Sequence, residues 1–344
     1  MVTRLESLAG QGEAARRLEA ALAQGRLHHA LLFSGPDGVG KFACAKLLAQ
    51  IVQCSGGDST SACGRCPGCT KITTAGHADV LILEPDDKDS IKVDAIREAT
   101  QALYLKPIEG RFRLLLIRDA DRMNPQAQNA LLKTLEEPPG EAHLILTTSR
   151  PDAVLPTVRS RCSKVPFHPV PTAAISALLV EHKGIDRARA DLVAALAQGA
   201  PGVAFQADPD HLIAARDRIA DLDRRLSTGD VRRSQEAIAV AESLAKELEW
   251  EDLREQLDLF AVWLRDQALL AAQVEQPEIA NADRLEDLRE LAAARGSYEV
   301  LRRARTLERC RRDLDSPYNL NTQLVVEQLC LGLIGWGRRT DERS

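Results

Sequence analysis

Aromatic side chains are scarce in this chain: six Phe, three Tyr and three Trp among 344 residues. Any core must therefore rest on Leu, Val, Ile and Ala. The same scarcity argues against a protein that stacks successive nucleic-acid bases on aromatic platforms. Long apolar runs are missing as well. No stretch approaches the roughly 18 uninterrupted apolar residues that suggest a membrane-spanning helix. The opening segment Met1–Arg17 contains no apolar h-region, so no secretory signal is expected there and the chain reads as cytoplasmic. Nor is there an excess of positive charge. Lys and Arg number 45 against 50 Asp and Glu, a formal net charge of −5. With a pI near 5.9, polyanion binding over the whole chain is excluded.

What is present is unevenly spread. Hydrophobic residues make up 44% and charged residues 28%, enough for a sizeable core in a soluble chain. A length of 344 residues predicts two or three domains. Residues 1–168 carry 21 basic and 19 acidic side chains, whereas the rest carry 24 and 31. Contacts to nucleotide or nucleic acid are therefore expected in the first part. Five of the eight cysteines fall between Cys44 and Cys69, and in a reducing compartment such a cluster reads as a metal site before disulfides.

Up to about residue 168, short apolar runs alternate with helical patterns. The runs are Ala30–Phe33, Val80–Leu83, Leu114–Ile117 and Leu144–Leu146. Unbroken runs of that length suit strands buried on both faces of a parallel sheet. Between them, Val93, Ile96, Ala99 and Leu103 keep helical spacing. The alternation predicts a doubly wound α/β sheet. Beyond Pro166–Pro169 the texture is helical. One helix is expected to open at Pro171-Thr172 and close at Gly184, and another to run from Asp186 to Gln198 and end at Gly199. A nearly all-helical region follows from about Asp230 to Gly337, with breaks near Pro277, Gly296 and Pro317. A charged tail, Arg338–Ser344, is expected to fray. The expected domains are an α/β domain over 1–168, a small helical lid domain over 169–225 and a helical domain over 226–344. Within the first, a zinc module is expected over about 54–69.

After the first apolar run comes Gly35-Pro36-Asp37-Gly38-Val39-Gly40-Lys41, leading into a helical pattern. Strand, G-x-x-x-x-G-K and helix make the context of a phosphate-binding loop. Gly35, Gly38 and Gly40 let backbone N–H groups curl around a phosphate, and Lys41 can reach the outer phosphates. The next position should carry a hydroxyl for Mg²⁺, but it is Phe42. A second metal-supporting carboxylate should close a later buried strand. After Leu114–Ile117 the chain instead reads Arg118-Asp119, a cation in the first acidic position. Both metal supports are lost together. The expectation is a phosphate-loop fold with weak or absent ATP binding, no Mg²⁺ site and no hydrolysis of its own.

Cys54, Cys63, Cys66 and Cys69 follow the pattern C-x8-C-x2-C-x2-C. Two-residue spacers bring successive sulfurs around one tetrahedral ion, and the longer spacer returns the first ligand from a separate turn. Four thiolates leave no open position, so the expected ion is a structural Zn²⁺ rather than a catalytic one. Cys44, Cys162, Cys310 and Cys330 read as ordinary small core or semi-buried residues.

Further motifs carry a resemblance. The chain contains Arg26-Leu27-His28-His29-Ala30, the four-cysteine insert, Asn129-Ala130-Leu131-Leu132-Lys133-Thr134-Leu135-Glu136-Glu137-Pro138-Pro139-Gly140 and Leu155-Pro156-Thr157-Val158-Arg159-Ser160-Arg161-Cys162. Together they resemble the bacterial sliding-clamp loader subunits of the AAA+ class, over residues 26–162. The resemblance implies an AAA+ α/β domain, a helical lid domain and an all-α collar that assembles with other subunits. In this family, motor subunits (gamma/tau) keep the hydroxyl and the acidic pair that Phe42 and Arg118 replace. They also carry a sensor Arg where this chain has Gly202, within Gly199-Ala200-Pro201-Gly202-Val203. The departures point to the largely non-hydrolysing delta-prime branch, which also lacks the long tail of tau. The implied partners are gamma/tau and delta, with the sliding clamp and primer-template DNA met through the assembled complex and no membrane involved. The Ser-Arg-Cys motif implies that Arg161 is an arginine finger donated to ATP in a neighbouring subunit. Thr148 falls near a sensor position but reads better as a strand-end residue. Lys133 reads as a solvated helix residue. Two other classes stay in view: an ATP-hydrolysing gamma/tau-like motor, opposed by Phe42, Arg118 and Gly202, and a zinc-ribbon DNA-binding module, opposed by the charge and the few aromatics.

Overall fold

The structure, a computed structural model, describes residues 4–5, 8–86, 90–225, 238–239, 241, 250–314 and 321–335. The chain forms two compact units, residues 1–184 with 197–205, and residues 185–196 with 206–344. The helices over 169–225 thus divide between the two.

The first unit is built on five strands, β1 (Ala30–Ser34), β2 (Val80–Leu83), β3 (Arg113–Ile117), β4 (Ala142–Thr148) and β5 (Ser163–Pro166). Their order is β2-β3-β4-β1-β5 and every pairing is parallel. Four of them stand on the four apolar runs. Side chains alternate across a strand, so each central strand feeds two cores. Leu31, Phe33, Leu114, Leu116 and Ile145 face one side, packing with Leu18, Leu48 and Ile72. Those residues belong to α1 (Gly12–Ala23), α2 (Lys41–Gln53) and α3 (Pro67–Thr73). Leu32, Leu115, Ile117, Leu144 and Leu146 face the other side, packing with Ile96, Leu103, Leu131 and Leu135. These come from α4 (Val93–Leu103) and α5 (Pro125–Glu136). The sheet is therefore doubly wound, as the alternation predicts.

The fifth strand escapes the sequence pattern. In Ser163-Lys164-Val165-Pro166 only Val165 is buried, and Ser163 and Lys164 are exposed. It is an edge strand, where a lysine and a short run blunt unpaired backbone groups. It follows the short α6 (Pro156–Arg159). Helix starts and stops follow local chemistry. The Asn124 carboxamide oxygen accepts the Ala127 N–H at 2.8 Å, and Pro125 opens α5 where no N–H is needed. Gly184, with φ +67°, ends α7 (Thr172–Lys183) in the left-handed conformation.

In the second unit, α8 (Arg187–Leu196) is followed, after the first unit's short α9 (Pro201–Gln206), by α10 (Pro209–Arg225). Then come α11 (Trp250–Ala271), α12 (Leu285–Leu314) and α13 (Thr322–Leu333). Gly296 interrupts α12 with φ 68° and ψ 169°, and Pro277 lies between α11 and α12, as expected. The expected helix start at Asp230, the break at Pro317 and the tail Arg338–Ser344 lie outside the described residues.

One carboxylate ties four of these helices. Asp223 of α10 is fully buried and accepts hydrogen bonds from Trp263 Nε1 (3.0 Å) and Gln267 Nε2 (2.9 Å) of α11. It also accepts from Arg295 (2.7 Å) and Arg303 (2.6 Å) of α12, and Arg303 reaches the Leu333 carbonyl of α13 at 3.1 Å. Burial alone would raise the pKa of Asp223. The Arg303 and Arg295 guanidiniums outweigh it and hold the group below the usual carboxylate range. Removing the carboxylate strands two buried cations, which costs about 3–5 kcal/mol. Asp223→Ala should therefore lower the unfolding free energy of this unit by about that amount in urea titrations. Because the folded-state pKa is depressed, the stabilisation is complete above the unfolded value of about 3.9 and is lost as pH falls through the lower folded value. The gap between wild type and Asp223→Asn should be flat from about pH 7 to 5 and shrink below about pH 4.

Candidate functional site

The loop Gly35–Gly40 joins β1 to α2. A Cβ at Gly35 would lie 2.3 Å from the Phe167 carbonyl oxygen, and Gly38 adopts φ +72°, so both positions require glycine. Lys41 opens α2, yet its ammonium turns back on the loop. Its Nζ donates to the carbonyls of Gly35 and Pro36, each at 2.7 Å, and Asp37 stands 3.7 Å away. The side chain is only 6% exposed. Burial lowers the Lys41 pKa, opposed by the charges of Asp37, Asp119 and Asp121.

The two positions that lack metal ligands touch each other. The Arg118 guanidinium lies 5.6 Å from the centre of the Phe42 ring, within cation–π range, and Lys46 lies 5.0 Å from it. Arg118 also approaches Glu84 at 3.5 Å and Asp119 at 3.6 Å. A ring and a cation thus stand where a hydroxyl and a carboxylate would support magnesium. The remaining acid, Asp119, is pushed up by burial, with Arg118 opposing. Thr148 is fully buried, and its hydroxyl donates to Asp121 at 2.7 Å while Arg150 pairs with the same carboxylate at 3.0 Å. That is the strand-end role expected of it.

The loop is also covered from above. The Gly202 N–H donates to the Gly38 carbonyl at 2.8 Å. A Cβ at Gly202 would lie 3.1 Å from that oxygen, and one at Gly38 would lie 2.9 Å from the Ala200 Cβ. Backbone packs on backbone here, which is the physical reason for a glycine at position 202. Gln11 was not singled out by sequence reasoning. Its amide donates to the carbonyls of Val39 (3.2 Å) and His168 (2.7 Å), joining the loop to the chain that leaves β5.

Arg161 follows α6. It donates to the Thr157 carbonyl at 2.9 Å and pairs with Glu136 of α5 at 2.5 Å, with its side chain 35% exposed. A half-exposed pair of this kind is worth about 0.2–1 kcal/mol, so the guanidinium can exchange partners at little cost. The segment before it is fixed more firmly. Buried Gln128 of α5 donates to the carbonyls of Met123 (3.0 Å) and Ala153 (3.1 Å), and accepts from Leu155 N–H at 2.6 Å. Sequence reasoning missed Gln128, because a glutamine on a helix carries no pattern until its partners are known. Lys133 is exposed, as expected.

The four cysteines converge. Their sulfurs all lie within 4.8 Å of one another, and Cys54 and Cys66 are 3.9 Å apart. Zinc–sulfur bonds of about 2.3 Å in a tetrahedron place sulfurs about 3.8 Å apart, so the cage fits that ion. Cys54 ends α2 and Cys66 caps α3. Backbone N–H groups point at the sulfurs: Cys63 to Cys54 (3.2 Å), Cys66 to Cys63 (3.3 Å) and Cys69 to Cys66 (3.5 Å). Burial pushes the Cys66 thiol up, but the N–H groups of Cys69 and Ser55 outweigh it and bring it to about 5. The Arg65 and Cys66 N–H groups lower Cys63. Burial and the Cys66 sulfur raise Cys69 to about 12. All four donor atoms are sulfur, the set that suits a closed, structural Zn²⁺ site. Gly57 permits the tight return, since a Cβ there would meet the Ser61 oxygen at 2.1 Å and the Cys54 sulfur at 3.1 Å. The other four cysteines are free and buried.

Comparison with known proteins gives a consistent set of likenesses. The family model described as DNA polymerase III, delta subunit, matches residues 10–171. That described as DNA polymerase III, delta subunit, C terminal, matches residues 225–334. Together they account for more than three quarters of the chain. The DNA polymerase III subunit gamma/tau of Mycobacterium tuberculosis is 35% identical over 179 residues, 51% of this chain and 31% of its own length. The subunit tau of Bacillus subtilis is 29% identical over 249 residues, 71% of this chain and 41% of its own. The chain thus spans well under half the length of these curated relatives. Among solved structures, a DNA polymerase III gamma subunit-related protein of Thermotoga maritima covers 92% of this chain and 98% of its own, at 20% identity and a TM-score of 0.46. No helix among the described residues is long and apolar enough to cross a membrane.

The metal cage yields a direct test. Protein purified without added metal should contain close to one zinc per chain, held by Cys54, Cys63, Cys66 and Cys69. Cys66→Ser should lose most of it while the β-sheet persists, because the cage lies beyond α2 and outside the sheet. Unchanged zinc in Cys66→Ser refutes the four-ligand assignment.

Proposed function

We propose that this chain, which belongs to the clamp-loader family of DNA polymerase III, is the delta-prime subunit of the loader. In this reading it is a largely non-hydrolysing AAA+ subunit of the cytoplasm. It scaffolds an assembly with gamma/tau motor subunits and delta, and acts on the sliding clamp and primer-template DNA through that assembly. The observation that carries it is the contact between Phe42 and Arg118, which fills both magnesium-supporting positions with groups unable to hold the ion. Three further features support it. Lys41 is bonded to its own loop, Gly202 is packed on Gly38, and a zinc ion fits the four-cysteine module as a structural element. Its helical 226–344 region is proposed as the assembling collar, with a lid contributed by 169–225.

The chemistry this chain offers is in trans. Arg161 presents a planar fork of donors that can stabilise charge on a phosphoryl group transferred in a neighbouring subunit. Glu136 holds that fork weakly enough to release it to a phosphate. A second reading, a gamma/tau-like motor that hydrolyses ATP itself, draws on the names of the curated relatives. Phe42, Arg118 and Gly202 oppose it.

The test is a loader reconstituted with Arg161→Ala. The subunit should fold and the complex should elute intact on gel filtration, because Arg161 lies in a polar turn outside both cores. ATP hydrolysis stimulated by clamp and DNA should fall. Trans-acting fingers are worth roughly 10³–10⁵ in rate in GTPases, and the bulk loss here should be smaller because other sites keep their own fingers. Arg161→Lys should not restore the full rate, since a point charge lacks the fork. Unchanged hydrolysis in an intact complex removes Arg161 from the mechanism.

A further inference from the structure

The segment Tyr104–Phe112 joins α4 to β3 and has little core of its own. Tyr104, Leu105 and Ile108 are 51%, 61% and 75% exposed. Polar ties hold the segment instead. Asp79, fully buried just before β2, accepts the backbone N–H groups of Ile108 (2.8 Å), Glu109 (2.8 Å) and Gly110 (2.6 Å). Arg113 pairs with Asp79 at 3.3 Å and donates to the Lys106 carbonyl at 3.0 Å. Gln53 grips the next two residues. It accepts from Arg111 N–H at 2.8 Å and donates to the Phe112 carbonyl at 2.6 Å. Glu109 accepts the Ala78 N–H at 3.0 Å, pairs with Lys71 and lies 3.7 Å from His77.

Two of these ties begin beside the cysteine cage. Gln53, the last residue of α2, immediately precedes Cys54, and Lys71 of α3 stands two residues beyond Cys69. The chain between α2 and α3 is a run of turns, so its own backbone does little to fix the two helices. The four-sulfur cluster joins them, beside the core shared by Leu48 and Ile72 and the Gln50 amide, which reaches the Cys69 carbonyl at 3.1 Å and the Thr73 hydroxyl at 2.9 Å. A cage that pins Cys54 to Cys66 and Cys69 also fixes where Gln53 and Lys71 stand relative to one another. Both grip the same loop, and Gly110 leaves no slack, since a Cβ there would meet the Gln53 side chain at 2.4 Å.

We infer that the four-cysteine module is a metal-dependent brace for residues 106–112, so that zinc occupancy sets the conformation of the exposed segment that presents Tyr104, Leu105 and Ile108. The inference rests on the metal reading of the cage and is independent of the identity of the subunit. With zinc bound, α2 and α3 form one rigid support and the loop hangs from it by Gln53 and by Lys71 through Glu109, while Asp79 holds it from the start of β2. Without zinc the sulfur link is lost and only the shared core and Gln50 hold the two helices, so the Gln53 and Lys71 ties need no longer be met together.

Amide hydrogen exchange on the full chain tests this, with zinc content measured on the same samples before and after chelation. Zinc removal should speed exchange at Ile108, Glu109, Gly110 and Arg111 by roughly tenfold, the scale of one lost hydrogen bond to a buried group. Amides of α4 and β4 should change little. Lys71→Met removes one tie from a half-exposed position and should loosen Glu109 while zinc stays bound. A zinc-loaded protein whose loop exchange is indifferent to chelation overturns the brace alone. Equal loss of protection throughout the sheet overturns it too, by making the metal a global requirement. A protein that carries no zinc overturns the metal reading and the brace with it.

Discussion

A buried ammonium needs acceptors, and in this chain Lys41 finds them in its own loop. The carbonyls of Gly35 and Pro36 take the place a phosphate would occupy as the partner of that charge. An unsatisfied buried donor costs about 1–3 kcal/mol, and more when charged, so these two carbonyls stabilise the ammonium where it stands. The surroundings are consistent with that arrangement. Gly202 and Ala200 close over Gly38, Gln11 fastens Val39, and Phe42 lies against Arg118. Each replacement makes the others tolerable. Arg118 stands at the strand end with the Phe42 ring as a favourable neighbour for its cation.

The doubly wound sheet positions α5, and α5 in turn holds the segment that carries Arg161, through buried Gln128 and half-exposed Glu136. The firm hold is on the backbone and the weak hold is on the guanidinium. That division would suit the arginine finger proposed for Arg161, presented rigidly yet able to exchange one partner for another. In the second unit, Asp223 gathers helices in the same economical way, with one carboxylate serving two arginines, a tryptophan and a glutamine.

Much of this was legible in the sequence, for physical reasons. Strands buried on both faces must be unbroken apolar runs, so β1, β3 and β4 stand where those runs are, and β2, partly buried at the sheet edge, stands on the fourth. Asn124-Pro125 and Gly184 mark helix ends because their chemistry is local. The cysteine cage was legible from spacing alone, because two-residue spacers constrain sulfurs wherever they occur. β5 was not, since a short edge strand needs only one buried residue. Gln11, Gln53, Asp79 and Gln128 were invisible for a different reason. Each satisfies backbone groups far away in the chain, from 25 residues for Gln128 with Ala153 to 157 for Gln11 with His168, and no local pattern announces such a partner. Gly202 was noticed as a missing arginine, but its contact with the loop emerges only from the close approach of two backbones.

The central claim is that the nucleotide seat does not work as an ATPase. It is tested most directly by measuring magnesium-dependent ATP turnover by the isolated chain, with Lys41→Ala as the control. No turnover above that of the control is expected, with or without magnesium. Turnover at a rate typical of motor subunits, abolished by Lys41→Ala, would contradict it.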